Sequence, residues 1–250
     1  MKDIGEIMGK ALNAVSEAVF PSNIYCISCG SLIDGTRPYS LCDGCVKKIH
    51  WIGENTCDKC GKALPDTYRG NICYDCMIYS HYFRKGFSCF TYGMYERELI
   101  FDFKYNGKGY LGAKFGDILY DRICCEDVKA DIVIPVPISS ERLKKRGYNQ
   151  SAVMASHLAG RLGIPFDDGG LVRKKETARL RGLSPADREA ALEGAFAFRE
   201  PRKWRIKDKS VLLIDDIYTT GATADACSRA LLDAGAAEVF LLTLASGGNR

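Results

Sequence analysis

Nowhere does this chain of 250 residues carry an apolar stretch near the roughly 20 residues that a membrane-spanning helix needs. It also lacks a marked excess of either charge. Against 35 Lys and Arg stand 31 Asp and Glu, so net charge alone argues for no nucleic-acid, membrane or acidic partner. A signal peptide is not expected, because Asp3, Glu6 and Glu17 interrupt the apolar residues at the N-terminus. These absences predict a cytoplasmic protein. At this length it holds one or two domains and buries a real core.

What is present begins with Ile4, Met8, Leu12, Val15 and Val19, which share one face at helical spacing. They predict an amphipathic helix over 1–20 that docks on the rest of the fold, with a membrane-surface role as the alternative. Next come the cysteines, twelve in all. Eight form Cys-x-x-Cys pairs: Cys26 and Cys29, Cys42 and Cys45, Cys57 and Cys60, Cys73 and Cys76. The second two pairs repeat the first two at a constant offset of 31 residues, which marks an internal duplication. Cys-x-x-Cys is the spacing at which a tight knuckle offers two thiolates to one metal, and two knuckles complete a tetrahedron. Gly30 and Gly61 follow the first knuckle of each copy, where a positive φ is often required.

Disulfides are the competing reading, but a reduced cytosol disfavours them. Iron–sulfur ligation usually shows other spacings. The eight cysteines therefore predict two structural zinc sites with no open coordination position. Units of about 30 residues cannot bury enough surface to fold alone, and metal binding worth roughly 10–16 kcal/mol in small zinc modules would fold them. Sequential pairing closes the shorter loops, and interleaved pairing stays open. Cys89, Cys124, Cys125 and Cys227 have no partner at ligand spacing and read as ordinary buried thiols, with Cys227 on the helix after the phosphate loop.

From about residue 87 the pattern becomes α/β. Helices are expected over 96–105, 111–121 and 149–162, and strands over 131–137, 211–214 and 238–244. Alternation of this kind implies a mostly parallel sheet with right-handed crossovers. The richest segment is Val211-Leu-Leu-Ile-Asp-Asp-Ile-Tyr-Thr-Thr-Gly-Ala-Thr223. Its apolar start reads as a strand buried on both faces, ending in Asp215 and Asp216 where open α/β sheets place ligands. Thr219, Thr220, Gly221, Ala222 and Thr223 then open a helix to about Asp233, whose first N–H groups can cradle a phosphate. The two carboxylates can accept bonds from vicinal hydroxyls one sugar ring away. Receiver domains also end a strand in an acidic pair, but on their first strand and without the Thr-Thr-Gly-Ala-Thr loop.

The segment resembles the phosphoribosyl diphosphate (PRPP) motif of type I phosphoribosyltransferases, apart from Tyr218, where an aliphatic residue is usual. In such a pocket the diphosphate lies opposite the 5-phosphate, and Arg142, Lys144, Lys145 and Arg146, expected in a loop, could meet it. The alternative is a solvated surface run. Between Leu171 and Phe198 periodicity fades, and Arg173, Lys174, Lys175, Thr177, Arg179, Arg181 and Arg188 accumulate. Lid and flexible linker both stay open as readings of that stretch.

Read in order, the chain resembles the ComF family, double-zinc-ribbon phosphoribosyltransferase-like proteins linked to DNA uptake in competent bacteria. The likeness rests on Phe20-Pro21 before Cys-x-x-Cys-Gly, the second ribbon, Phe103-Lys104-Tyr105 with Gly107, and Pro135-Val136-Pro137. It continues through Arg142-Leu143, Arg146-Gly147-Tyr148-Asn149-Gln150, Thr177, Arg188, Gly194-Ala195-Phe196 and the terminal motif. Leu180 and Ala191 depart from it, standing where Gln and Asn are usual. The resemblance implies a type I phosphoribosyltransferase-like parallel sheet flanked by helices over 83–250, behind a double zinc ribbon over 21–82. It implies PRPP with magnesium as ligand, and single-stranded DNA and the competence machinery as partners. Asp215 and Asp216 would act at the ribose, Thr219 to Thr223 at the 5-phosphate, and Arg142, Lys145 and Arg146 at the leaving group. An active phosphoribosyltransferase with an unknown acceptor, and a PRPP-sensing regulator, are the alternatives, because no general base announces itself. A basic cluster, Arg199 to Lys209 around Trp204, offers both charge and a stacking face for single strands; a solvated linker with one anchoring Trp is the competing view.

Overall fold

The computed structural model describes residues 23–106, 108–175 and 185–247, without the side chains of 185, 186, 188 and 189. The helix expected over 1–20, and Gly107, Thr177, Arg179, Leu180 and Arg181, lie outside them, as does the side chain of Arg188. Contacts divide the chain into two compact units, Met1–Ile49 and His50–Arg250. The first four-cysteine group belongs to the first unit and the second to the unit that holds the sheet, whereas the sequence pattern drew its boundary after residue 82.

The duplication is visible in the backbone. In the first unit the amide of Cys26 donates to Ser31 O at 2.8 Å and that of Gly30 to Cys26 O at 2.9 Å. In the second copy the amide of Cys57 donates to Lys62 O and that of Gly61 to Cys57 O, both at 2.8 Å. Gly30 and Gly61 adopt φ of 73° and 70°, as the turn demands. Bridges Tyr25↔Leu32 and Thr56↔Ala63 close the two knuckles. Short helices, Asp43–Val46 and Tyr74–Ile78, start just after the first cysteine of the second pair in each copy and carry its second, Cys45 or Cys76.

In the larger unit, β1 (Lys85–Thr91), α1 (Met94–Tyr105), α2 (Leu111–Cys124) and β2 (Ile132–Pro135) come first. Then follow α3 (Ser140–Arg146), α4 (Gln150–Leu162), β3 (Leu171–Arg173), α5 (Pro185–Leu192), β4 (Phe196–Phe198), β5 (Ser210–Tyr218), α6 (Ala222–Asp233) and β6 (Glu238–Ser246). The main sheet has the order β1-β6-β5-β2, and every pairing is parallel. Its central strands are buried on both faces, which is why Val211 to Ile214 carry no polar alternation. Period-two geometry still sorts them. Val211 and Leu213 join Cys227 and Leu231 of α6 in a buried cluster that also contains Cys57, Cys60, Cys73 and Phe83.

Of the four cysteines outside the two groups, Cys89 and Cys227 are buried as expected, but Cys124 and Cys125 are exposed where α2 ends at the surface. Three further expectations change. Residues 142–146 are helical and not a loop: Ser139 caps α3 by accepting from the amide of Arg142 at 3.3 Å. Gly147 ends it at φ 80°, and its basic last turn suits the negative end of the helix dipole. The stretch 171–198 is pinned at its ends, because β3 and β4 pair antiparallel from Leu171↔Phe198 to Arg173↔Phe196. Finally, β5 does not stop at Ile214; it runs through both aspartates, with Asp215 opposite Thr243 and Tyr218 opposite Ser246.

Candidate phosphoribosyl and metal sites

Past the end of β5 the chain turns sharply at Gly221, whose φ is 88°, and enters α6. A cavity of about 260 Å³ opens there, lined by Asp215 and by Thr219, Thr220, Gly221, Ala222 and Thr223. The first N–H groups of α6 have no partners within the helix, and the positive end of its dipole faces the turn. An anion fits such a place.

Asp215 Oδ1 accepts from Ser151 Oγ at 3.2 Å and from the amide of Asp216 at 2.8 Å. Burial, and then the adjacent Asp216 charge, push the Asp215 carboxyl up to about 7. Asp216 leans away and holds Lys104 Nζ at 2.6 Å. The acidic pair is thus split between two neighbours, a hydroxyl from α4 and an ammonium from α1.

Of the cationic residues, Arg146 reaches this region through intermediates. Its guanidinium donates to Gln150 Oε1 and to the Tyr105 hydroxyl, each at 2.8 Å, and lies 4.8 Å over the Tyr105 ring. Arg142 and Lys145 sit on the exposed side of α3, and neither they nor Arg146 are among the residues lining the cavity. The basic cluster near Trp204 has other work. Arg202 and Arg205 grip the buried Asp167 at 2.8 and 2.7 Å, and Lys203 pairs with Glu200 at 2.7 Å. Trp204 is 72% exposed. Lys104, Tyr105 and Ser151 escaped the reading of the sequence, although Phe103-Lys104-Tyr105 stood out as a motif. Only folding brings α1 to the acidic pair.

Cys26, Cys29, Cys42 and Cys45 present four sulfurs within 4.8 Å of one another, and Cys57, Cys60, Cys73 and Cys76 do the same. Pairing is therefore sequential. Amides add to each group: Cys42 N–H points to the Cys26 sulfur at 3.4 Å and Cys73 N–H to the Cys57 sulfur at 3.2 Å. In the second group hydrogen bonds from Cys60, Cys73 and Cys76 hold the Cys57 thiol far below its usual range. The same crowding, led by Cys57, drives Cys76 far above its own. Four sulfurs this close cannot all ionise without a cation between them, and an all-thiolate tetrahedron is a donor set for zinc.

Residues 15–77 match the double zinc ribbon domain family and residues 149–250 the phosphoribosyl transferase domain family. Competence protein F of Haemophilus influenzae is 29% identical over 230 residues, covering 89% of this chain and 97% of that protein. With competence protein ComFC of Streptococcus pneumoniae the identity is 28%, covering 88% of this chain and 98% of the relative. The chain is a homologue of the ComF competence proteins over most of its length. DNA utilization protein YhgH of Escherichia coli, at 24% identity over 206 residues, extends the similarity. This chain's parallel sheet is of the phosphoribosyltransferase type, and its two four-cysteine groups fit the zinc of a double ribbon. Among the described residues no helix is long and apolar enough to cross a membrane.

Proposed function

We propose that this ComF homologue binds PRPP, or a closely related phosphoribosyl ligand, with magnesium, and that it serves DNA uptake in the cytoplasm. One observation carries the reading: Asp215 and the turn from Thr219 to Thr223 line a single cavity at the carboxyl end of a central parallel strand. The amides from Thr219 to Thr223 would hold the 5-phosphate. Asp215 and Asp216 would accept from the ribose hydroxyls, with Lys104 and Ser151 fixing each carboxylate. Arg146, with Arg142 and Lys145 on the same helix, would serve the diphosphate side, where magnesium offsets part of the charge. Were an acceptor supplied, its lone pair would form the new bond to the anomeric carbon as the bond to diphosphate breaks. The acidic pair would offset the positive charge developing on the ring.

Calorimetry with PRPP and magnesium tests this. The parent chain is expected to bind, and Asp216→Asn to abolish binding while circular dichroism stays unchanged. Equal affinity of the two proteins would remove the acidic pair from the site.

The competence and DNA-utilization names of the relatives support single-stranded DNA as a partner. The surface that suits it best is the outer face of α1. There Phe101 and Tyr105 are about half exposed, with rings 4.8 Å apart, beside the Arg146 guanidinium. Stacking faces among cations are what single strands require.

A further inference from the structure

His81 lies five residues beyond the last thiolate of the second four-cysteine group, and its side chain is 1% exposed. Its Nδ1 meets Asp225 Oδ2 at 2.8 Å. A carboxylate only accepts, so Nδ1 carries the hydrogen of that contact. Its Nε2 faces the Tyr218 hydroxyl at 3.3 Å. Asp225 also accepts from the amide of Tyr82 at 3.0 Å. Tyr218 is the last residue of β5 and Asp225 sits in the first turn of α6, so the imidazole spans the two ends of the phosphate turn from behind.

The surroundings hold the ring in place. Phe83 stacks on His81 at 4.8 Å, and Lys62 of the second knuckle lies 5.4 Å over the Tyr218 ring. The knuckle itself is stitched to the sheet: Gly86 of β1 donates to Lys59 O at 2.8 Å. The backbones approach so closely that a Cβ on Gly86 would lie 2.8 Å from Cys60 O. At the turn, a Cβ on Gly221 would lie 2.8 Å from both His81 Cε1 and the Tyr218 hydroxyl. The glycine and the clamp are fitted to each other.

We propose that His81, with Tyr218 and Asp225, is a positioning device by which the second zinc ribbon sets the shape of the phosphate turn. His81 and Asp225 lie outside the cavity lining, while Tyr218 borders it beside Thr219; the three act through Gly221 and the start of α6. Tyr218, the aromatic exception in an otherwise family-like motif, is the residue that supplies the hydroxyl. The proposal rests on the reading of this cavity as a phosphate site.

The test is calorimetry with ribose 5-phosphate on the parent chain and on Tyr218→Phe, His81→Ala and His81→Gln. It is run at a temperature where circular dichroism shows all four folded, with zinc measured in each. Loss of one buried hydrogen bond predicts a threefold to tenfold weaker affinity, roughly, for Tyr218→Phe and more for His81→Ala. The zinc content should equal that of the parent. His81→Gln, which can still donate toward Asp225, should recover part of the loss. Unchanged affinity in Tyr218→Phe and His81→Ala overturns the proposal while leaving the phosphate site standing. A fall in melting temperature without any change in affinity does the same, since it marks a merely structural role. Failure of the parent to bind ribose 5-phosphate removes the phosphate reading and the clamp together.

Discussion

Asp215 shows how a single carboxyl feels the whole fold. Burial and the neighbouring Asp216 raise it to about 7, well above the ordinary value of roughly 4. Because the folded state favours the protonated form, this group supports folding fully below about pH 4. That support is lost as pH rises through 7. Asn at this position keeps an oxygen for Ser151 Oγ and the Asp216 amide but never carries the charge. Asp215→Asn is therefore expected to be more stable than the parent at pH 8, by roughly 2 kcal/mol after partial screening, and to show no advantage at pH 4. Urea denaturation at the two pH values measures it; an advantage independent of pH would assign the effect to something other than charge. The same substitution should weaken PRPP binding, as it removes a charged acceptor for a ribose hydroxyl.

At the scale of elements, α1 does two jobs with opposite faces. Phe103 is fully buried against Phe115 of α2, at 5.2 Å between centroids. Met94, Phe101 and Tyr105 remain at the surface, while Lys104 points to the acidic pair. If the outer face carries single-stranded DNA, replacing Phe101 and Tyr105 with Ala should cost roughly 1–3 kcal/mol per base stacked. The slope of affinity against salt should hardly change, because no charge is lost. Arg142→Ala with Lys145→Ala should flatten that slope, since each phosphate contact releases counterions. Trp204→Ala should have little effect, as Arg202 and Arg205 beside it are committed to Asp167. Filter binding across a salt series separates these outcomes, and absence of binding at low salt would exclude the surface.

For the whole molecule, the two copies of one ancestral unit have taken different stations. The first group folds in Met1–Ile49; the second shares a buried cluster with β5 and α6. Elemental analysis should find two zinc ions per parent chain. Cys29→Ser should lower zinc content yet leave the thermal unfolding of the sheet-bearing unit within a few degrees of the parent. Cys60→Ser should depress that transition strongly, because its group is part of the core. Equal effects of the two substitutions would contradict this division.

Local information was enough wherever neighbours in sequence do the chemistry. Cys-x-x-Cys knuckles close over a few bonds, so their duplication could be read from spacing alone. The strand–Asp-Asp–Thr-Thr-Gly-Ala-Thr order likewise carries its own turn, and the helices at 94–105, 111–124 and 150–162 followed from apolar periodicity to within about three residues. Extension of β5 through Asp215 and Asp216 needed the edge of β6 to pair with, which no window of sequence contains. Helical form at Arg142 to Arg146 depended on capping by Ser139 and Gly147, a signal present but outweighed by charge. Lys104 on Asp216, Arg202 and Arg205 on Asp167, and His81 between Tyr218 and Asp225 join residues 35 to 144 positions apart. Such contacts are decided by which helix packs where, because ion pairs and buried hydrogen bonds depend on distance in space and burial, and neither is written in the order of the chain.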